Sequence, residues 1–429
     1  MSADEYPAEN EAPGKNDMSE PHYDPYSEEA LKDPHPIYKR LRAEKPAYYL
    51  EKYDAWALSR FEDIWNASLD SKSYSVAAAG ASSGHLLTRQ LPIFPSLMHT
   101  DPPDHTRMRS QIKAPFTRQR VAELEPKFRC IVREELARVA ERGEADALAD
   151  IAQPVATRVT CAVLDLPVND GPGLNEIVSR IFTREPGTIG LPESSIAAFG
   201  ELDAYFLERV RERRMKPSDA DDMLNRHLRM ELSDRRPTDE EISSFMTTLV
   251  IGGTETFPKV LAGGLVRLDA DRDQRALLLE DPSLLPNAIE EMGRYEIPLQ
   301  MLGRTLLRDV ELHGEKLRAG QPVMFLYASA SRDEREFDDP DTFDIRRSLP
   351  RVLTFGHGAH ACLGQHVARL EGRILLEEIL AAIPDYEVDM TGCVQAHSEW
   401  MQGYLGVPIR FAPFSLGNDA APAAASASG

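Results

Sequence analysis

The sequence predicts a mainly α fold with minor β. Two observations point there. Through the middle of the chain, apolar residues recur at three- and four-residue intervals, the period of a helix with one buried face. Strand-like pieces are short and confined to regions near the two ends. With 429 residues, 42% of them hydrophobic and 28% charged, the chain has the composition of a soluble globular protein and is long enough for a sizeable core.

Taken in order, residues 1–21 are acidic and polar and read as a disordered tail without the basic and apolar regions of a signal peptide. AYYLEKYDAWAL reads as a strand pair. The Gly/Ala/Ser-rich stretch VAAAGASSGHLLTRQLP reads as a mobile loop suited to a lid. DPPDHTRMR opens a helix after a Pro-Pro start, with His105 and Arg109 one turn apart. RTLLRDVELHG and QPVMFLY read as late strands, and the Ala/Ser-rich residues 414–429 as a second disordered tail. No linker separates two cores, so 22–413 is expected to be a single domain.

One helix stands apart. Thr238 followed by Glu241 is a capping box. From there DEEISSFMTTLVIGGTETFPKVLAGGLVRLDA can stay helical for about 30 residues, roughly 45 Å. Its centre is nearly uncharged apart from Glu255, so it is expected to be buried on all sides. Pro258 removes a hydrogen bond to the carbonyl of Thr254 and crowds it, which predicts a kink over 254–258, beside Gly252, Gly253, Glu255 and Thr256.

The formal net charge of −21 argues against nucleic acid as a partner and against wholesale binding to anionic membrane. There is no apolar run of about 18 residues, hence no expected membrane anchor. Four scattered cysteines, Cys130, Cys161, Cys362 and Cys393, none at CxxC spacing, fit a reducing compartment, the cytoplasm.

The densest chemistry lies in FGHGAHACLGQHVARLEGRILLEEIL. Apolar positions Leu363, Val367, Leu370 and Ile374 mark a helix, so Cys362 sits at or just before its N-terminus, where the dipole favours thiolate. A thiolate there can serve as nucleophile, metal ligand or redox sensor. His357, His360, Cys362 and His366 offer four zinc-type ligands, though their spacing is not the paired spacing of structural zinc sites. Gly356, Gly358 and Gly364 let backbone approach a flat or bulky group.

This loop resembles the haem-binding loop of the cytochromes P-450. The pattern F-x-x-G-x-x-x-C-x-G is met at Phe355, Gly358, Cys362 and Gly364. Four further segments fall in the family's order, so the resemblance spans residues 22 to about 413. It implies a P-450 fold with a long kinked helix over the haem, haem b as cofactor, and Cys362 as axial iron ligand. GGTET resembles the distal segment, with Glu255 and Thr256 as an acid–alcohol pair for proton delivery. EEMGRYEIP matches E-x-x-R through Glu291 and Arg294. Many members carry an arginine where this chain has Thr342, and Arg347 is the expected substitute, ahead of Arg346. His105, Arg109, Arg304 and His360 match the ligands of the haem propionates. Ser331-Arg332-Asp333 stands in the meander where many members have Asn-Arg-Asp.

By the same resemblance, the reaction inserts one atom of O₂ into a C–H or C=C bond of a small, mostly apolar substrate, as in a bacterial-type monooxygenase. The chain has neither a Gly-rich dinucleotide fingerprint nor a Cys cluster for an iron–sulfur centre, so electrons are expected from a ferredoxin with an NAD(P)H-dependent reductase. Lys113, Arg118, Arg120 and Arg351 are candidates for a local basic docking patch. Family topology places the substrate among Ile93, Phe94 and Leu97 of the early loop and Ile181 and Phe182 of a later helix. It adds Leu249 and Gly253 of the kinked helix, Leu299 and Met301 after E-x-x-R, and Trp400 and Met401 of a late turn. Gln300 and Gln402 are candidate polar anchors. Two other readings compete: a peroxide-using or isomerising haem-thiolate enzyme, and a non-enzymatic haem or metal sensor.

Overall fold

The computed structural model describes residues 20–89, 96–183 and 191–416. The expected tails lie almost wholly outside these residues, as do Ile93 and Phe94. A five-stranded sheet gathers the short strands from both ends of the chain: β1 (Ala47–Leu50), β2 (Ala55–Leu58), β3 (Tyr74–Ser75), β4 (Met301–Leu306) and β5 (Pro322–Leu326), in the order β1-β2-β5-β4-β3. β1 and β2 form a hairpin, Leu50 opposite Ala55. β2 runs parallel to β5, with Trp56 beside Val323, and β5 antiparallel to β4, with Arg304 beside Val323. Every residue of β2 and β5 is buried, the mark of strands covered on both faces. Tyr38, Leu41, Phe61, Ile64, Met324 and Phe325 form the core of this part.

The larger part is helical. The helices that carry it include α1 (Asp104–Ile112), α2 (Glu125–Val139), α3 (Gln153–Val163), α4 (Gly171–Ile181), α5 (Glu193–Met215), α6 (Met223–Leu228), α7 (Asp239–Thr254), α8 (Thr256–Ala270), α9 (Leu285–Tyr295) and α10 (Gln365–Ala382). Their apolar faces meet in a second core, with Phe128, Leu136, Val155, Phe206, Ile242, Leu261 and Ile374 fully covered.

α7 starts where the capping box places it. Glu241 N–H donates to Thr238 Oγ1 at 3.3 Å and Thr238 N–H to the Glu241 carboxylate at 2.8 Å. The expected thirty-residue helix is two helices, interrupted at Glu255 (φ −109°, ψ −31°) within the span where Pro258 denies Thr254 a partner. Burial on all sides does not hold. Gly252 is open, and a Cβ there would meet nothing within 4 Å, because this face borders a cavity. A Cβ on Gly253 would lie 2.3 Å from Thr160 Oγ1, so this glycine is what lets α7 pack on α3.

Behind the cavity, the Glu291 carboxylate takes two bonds of 2.7 Å from Arg294 and one of 3.2 Å from Arg347. Arg347 also donates to the carbonyls of Asp339 and Thr342, whereas Arg346 is exposed and pairs, among the described residues, with Asp344 alone. Gly293 lies within α9 because a Cβ would meet Thr354 at 2.7 Å. In the described part of the early loop Ser83–Thr88 is helical, and Gly303 N–H donates to the Ala81 carbonyl at 2.8 Å. Among the described residues no helix is long and apolar enough to cross a membrane.

Candidate active site

The cavity opens where the two cores meet. Leu302, Tyr327 and Leu353 line it from the sheet side, and Met108, Phe245 and Val260 from the helical side. Cys362 lies in its wall, three residues before α10. The loop turns through Gly356 (φ +63°) and Gly358 (φ +72°), and a Cβ on Gly358 would lie 2.2 Å from the Ser68 carbonyl oxygen. Cys362 N–H donates to the Phe355 carbonyl at 2.7 Å, and Arg369 covers the Phe355 ring at 4.5 Å.

Cys362 is exposed by surface area, yet what it faces is the cavity, with protein all around it. Burial pushes its thiol pKa up; the N–H groups of Gly364 and Gln365 and the charges of Arg109 and Arg369 oppose this without winning. The N–H groups of the helix terminus thus act in the expected direction, toward thiolate, and burial acts against them. Here a thiolate requires a coordinating cation, which deprotonates a thiol outright. The zinc alternative also fails. His357 stacks on Trp65 at 3.5 Å, His360 lies against His105 at 4.2 Å, and His366 sits near Arg369 and Arg118. Among the described residues no three metal-ligating side chains converge.

Beside the cysteine, the same cavity collects cations without counter-ions. Arg304 is 5% exposed, and among the described residues its guanidinium makes one hydrogen bond, to the carbonyl of Gly303 at 2.7 Å. Burial depresses its pKa, as it does that of Arg109, and neither has a carboxylate partner among the described residues. Both ring nitrogens of His105 and the Nε2 of His360 are enclosed without a hydrogen-bond partner. Burial, then neighbouring arginine, lowers these histidines to about 4 and about 3. Buried guanidinium groups with no anion are costly unless a ligand brings one. The wall thus fits a flat ligand that carries carboxylates on one edge and a metal within reach of Cys362. Haem b has that form.

On the opposite wall the break between α7 and α8 presents Gly252, Gly253 and Thr256, and Thr256 Oγ1 donates to the Gly252 carbonyl at 3.2 Å. Glu255 does not line the cavity. It is 3% exposed, 2.5 Å from Lys259 Nζ, and accepts from Gln153 Nε2 at 3.3 Å. Burial raises its pKa, with Lys259 opposing. The expected acid–alcohol pair is thus divided: the alcohol faces the cavity, the acid an ion pair behind it.

Of the expected substrate residues, Leu97, Leu249, Gly253 and Leu299 line the cavity. Ile181, Phe182, Met301, Trp400 and Met401 do not. Phe182 and Trp400 stack on each other at 5.5 Å, Met301 is buried in β4, and Met401 is bridged to Leu299. The candidate anchors are already engaged. Gln300 bonds Tyr38 and the Ser398 carbonyl, and Gln402 donates to the Ile297 carbonyl at 2.8 Å. Sequence reasoning missed His227, Phe245, Thr248 and Glu371. For α7 a signal existed: Phe245, Leu249 and Gly252 share one helical face, and Thr256 follows at the same spacing just past the break. On the surface, Arg120 pairs with Glu123 and Arg351 with Glu62 and Glu336, whereas Lys113 and Arg118 form no ion pair among the described residues.

The cytochrome P450 family model matches residues 269–383. A putative cytochrome P450 123 of Mycobacterium bovis is 34% identical over 90% of this chain and 96% of its own length. The vitamin D(3) 25-hydroxylase of Pseudonocardia autotrophica is 32% identical over 92% and 97%. Among solved structures, cytochrome CYP109E1 of Bacillus megaterium in complex with testosterone superposes with a TM-score of 0.79 at 27% identity, covering 90% of this chain and 99% of that one.

Proposed function

Since the chain belongs to the cytochrome P450 family and is a haem b monooxygenase, we propose that Cys362 is the thiolate ligand of the haem iron and that Arg109, Arg304, His105 and His360 hold the propionates. One observation carries this reading. Two arginines without counter-ions, two histidines with unpartnered ring nitrogens and Cys362 line a single cavity whose far wall holds Thr256. When bound, haem supplies the reductive activation of O₂, by which one oxygen atom enters the substrate and the other leaves as water.

The chain's own residues do the rest. The Gly364 and Gln365 N–H groups take up charge on the Cys362 sulfur, which tunes its donor strength. Phe355, with Arg369 above it, and Gly358, tight against Ser68, fix the loop that aims that sulfur. Thr256 holds a hydroxyl at the open face of the helix break, where it can pass a proton into the cavity. Glu255 can recharge that path only when its contact with Lys259 opens. The remaining lining is mostly apolar, so the substrate is a mostly apolar small molecule. Electrons come from a ferredoxin served by an NAD(P)H-dependent reductase, with Lys113 and Arg118 as the cations free to meet an acidic partner. The test is turnover under ¹⁸O₂ with such a pair. Incorporation of one labelled atom, dependent on ferredoxin, supports the reading; product formed without electron supply overturns it.

The position of Glu255 favours a second reading, a peroxide-driven enzyme on the same scaffold. It predicts turnover with hydrogen peroxide that exceeds turnover with O₂ and ferredoxin.

A further inference from the structure

The cavity extends well beyond the break in the distal helix. Phe245, on α7, lines it ten residues before the interruption at Glu255, about 15 Å along the helix at ~1.5 Å per residue. The cavity lining contributed by this part of the chain includes Met108, Ile112, Phe116, Leu164, Met230 and Leu249, all apolar, and α6 packs on both α1 and α7. Among the described residues, a polar ring there has one nitrogen without a hydrogen-bond partner. His227, on α6, lines the cavity with its ring centroid 5.9 Å from that of Phe245.

Its chemistry follows from one hydrogen bond. His227 Nδ1 lies 2.9 Å from the carbonyl oxygen of Met223. A carbonyl only accepts, so the ring proton is on Nδ1 and Nε2 presents a lone pair. The residue is 1% exposed, and Nε2 has no partner among the described residues. Burial lowers the pKa to about 4, so the ring stays neutral. Thr248, nearby on α7, already donates its hydroxyl to the Ser244 carbonyl at 2.9 Å.

We propose that His227 Nε2 is the polar anchor of the substrate cavity and accepts a hydrogen bond from a hydroxyl or N–H at the far end of an elongated apolar substrate. This rests on the monooxygenase reading of the cavity. An acceptor in an apolar wall selects strongly, because a ligand without a donor strips water from Nε2 and returns nothing. A carboxylate end group is disfavoured, since two lone pairs would face each other. The opposite end of the molecule then lies under Thr256, so oxidation falls away from the donor.

The test uses the haem-loaded protein with dodecan-1-ol, its methyl ether and dodecanoate as probes. Binding is read both by the optical shift at the haem and by ligand-observed NMR, and the position of oxidation is read from the products. The wild type is expected to prefer the alcohol over the ether about 5- to 10-fold and to oxidise it near the methyl end. His227→Phe is expected to abolish that preference, leave ether binding within about twofold, and scatter the oxidation sites. An unchanged preference in His227→Phe, or tighter binding of dodecanoate than of the alcohol, overturns the proposal. If His227→Phe does not fold, ¹⁵N-histidine NMR of the wild type decides. An Nε2 resonance that moves with the alcohol and not with the ether supports the anchor; one indifferent to both refutes it. The carbon monoxide spectrum of the same sample reports separately on the haem-thiolate reading.

Discussion

Lys259 Nζ sits 2.5 Å from Glu255 Oε1, one turn further along the broken distal helix, and both side chains are buried. The pair explains why the acid of the distal segment does not face the cavity. It also makes Lys259 a structural counter-ion. Lys259→Met should leave a buried, unmatched carboxylate and destabilise the protein by about 3 kcal/mol. Glu255→Gln in the same background should recover much of the loss. Equilibrium denaturation of the single and double variants measures both.

Arg304 and Arg109 are held without anions of their own, so the haem should be part of what keeps that wall together. Arg304→Leu is expected to weaken haem retention at least tenfold while raising the stability of the haem-free protein, because an uncompensated buried charge is removed. Haem transfer to apomyoglobin gives the first quantity, and thermal unfolding of the haem-free form the second.

Glu371 lines the cavity from α10, is 3% exposed, and has an Oε1 without a partner. Burial alone raises its pKa from 4.5 to about 8. The folded state therefore keeps a proton that the unfolded chain loses above about pH 4.5. Its contribution is full below that pH, falls by ~1.4 kcal/mol per unit as pH rises toward about 8, and is constant above. Glu371→Gln should remove this slope. Unfolding free energies of both proteins between these limits, taken as a difference, test the sign.

Lys113 and Arg118, without an ion pair among the described residues, are the cations that should meet the proposed ferredoxin. Replacing both with glutamate should raise the KM for ferredoxin about tenfold at low salt and leave peroxide-driven turnover unchanged. Arg120→Glu should do less, because Arg120 is already matched by Glu123 at 2.8 Å.

What was legible in the sequence is what local chemistry decides. The Thr238 cap, the break near Pro258 and the glycine spacing around Cys362 depend on neighbours within a few residues, and each lies where the pattern places it. Arg347 could be preferred over Arg346 because the choice was between two adjacent residues. The direction of Glu255 was not legible, since Glu-x-x-x-Lys on a helix is ordinarily a solvent-facing pair, and only the packing of α8 buries it. The pocket fared worst at Trp400, Met401 and Phe182. Their positions depend on how a late turn meets a distant helix, which no local spacing encodes. His227 was missed for the same reason: six residues of short helix carry no sign of the cavity they border.

The most direct measurement is the absorption spectrum of the purified, reduced protein under carbon monoxide. Thiolate ligation by Cys362 predicts a strongly red-shifted Soret band that is lost in Cys362→Ala. A wild-type band at the position ordinary for histidine-ligated haem, or a red-shifted band that survives in Cys362→Ala, would contradict it.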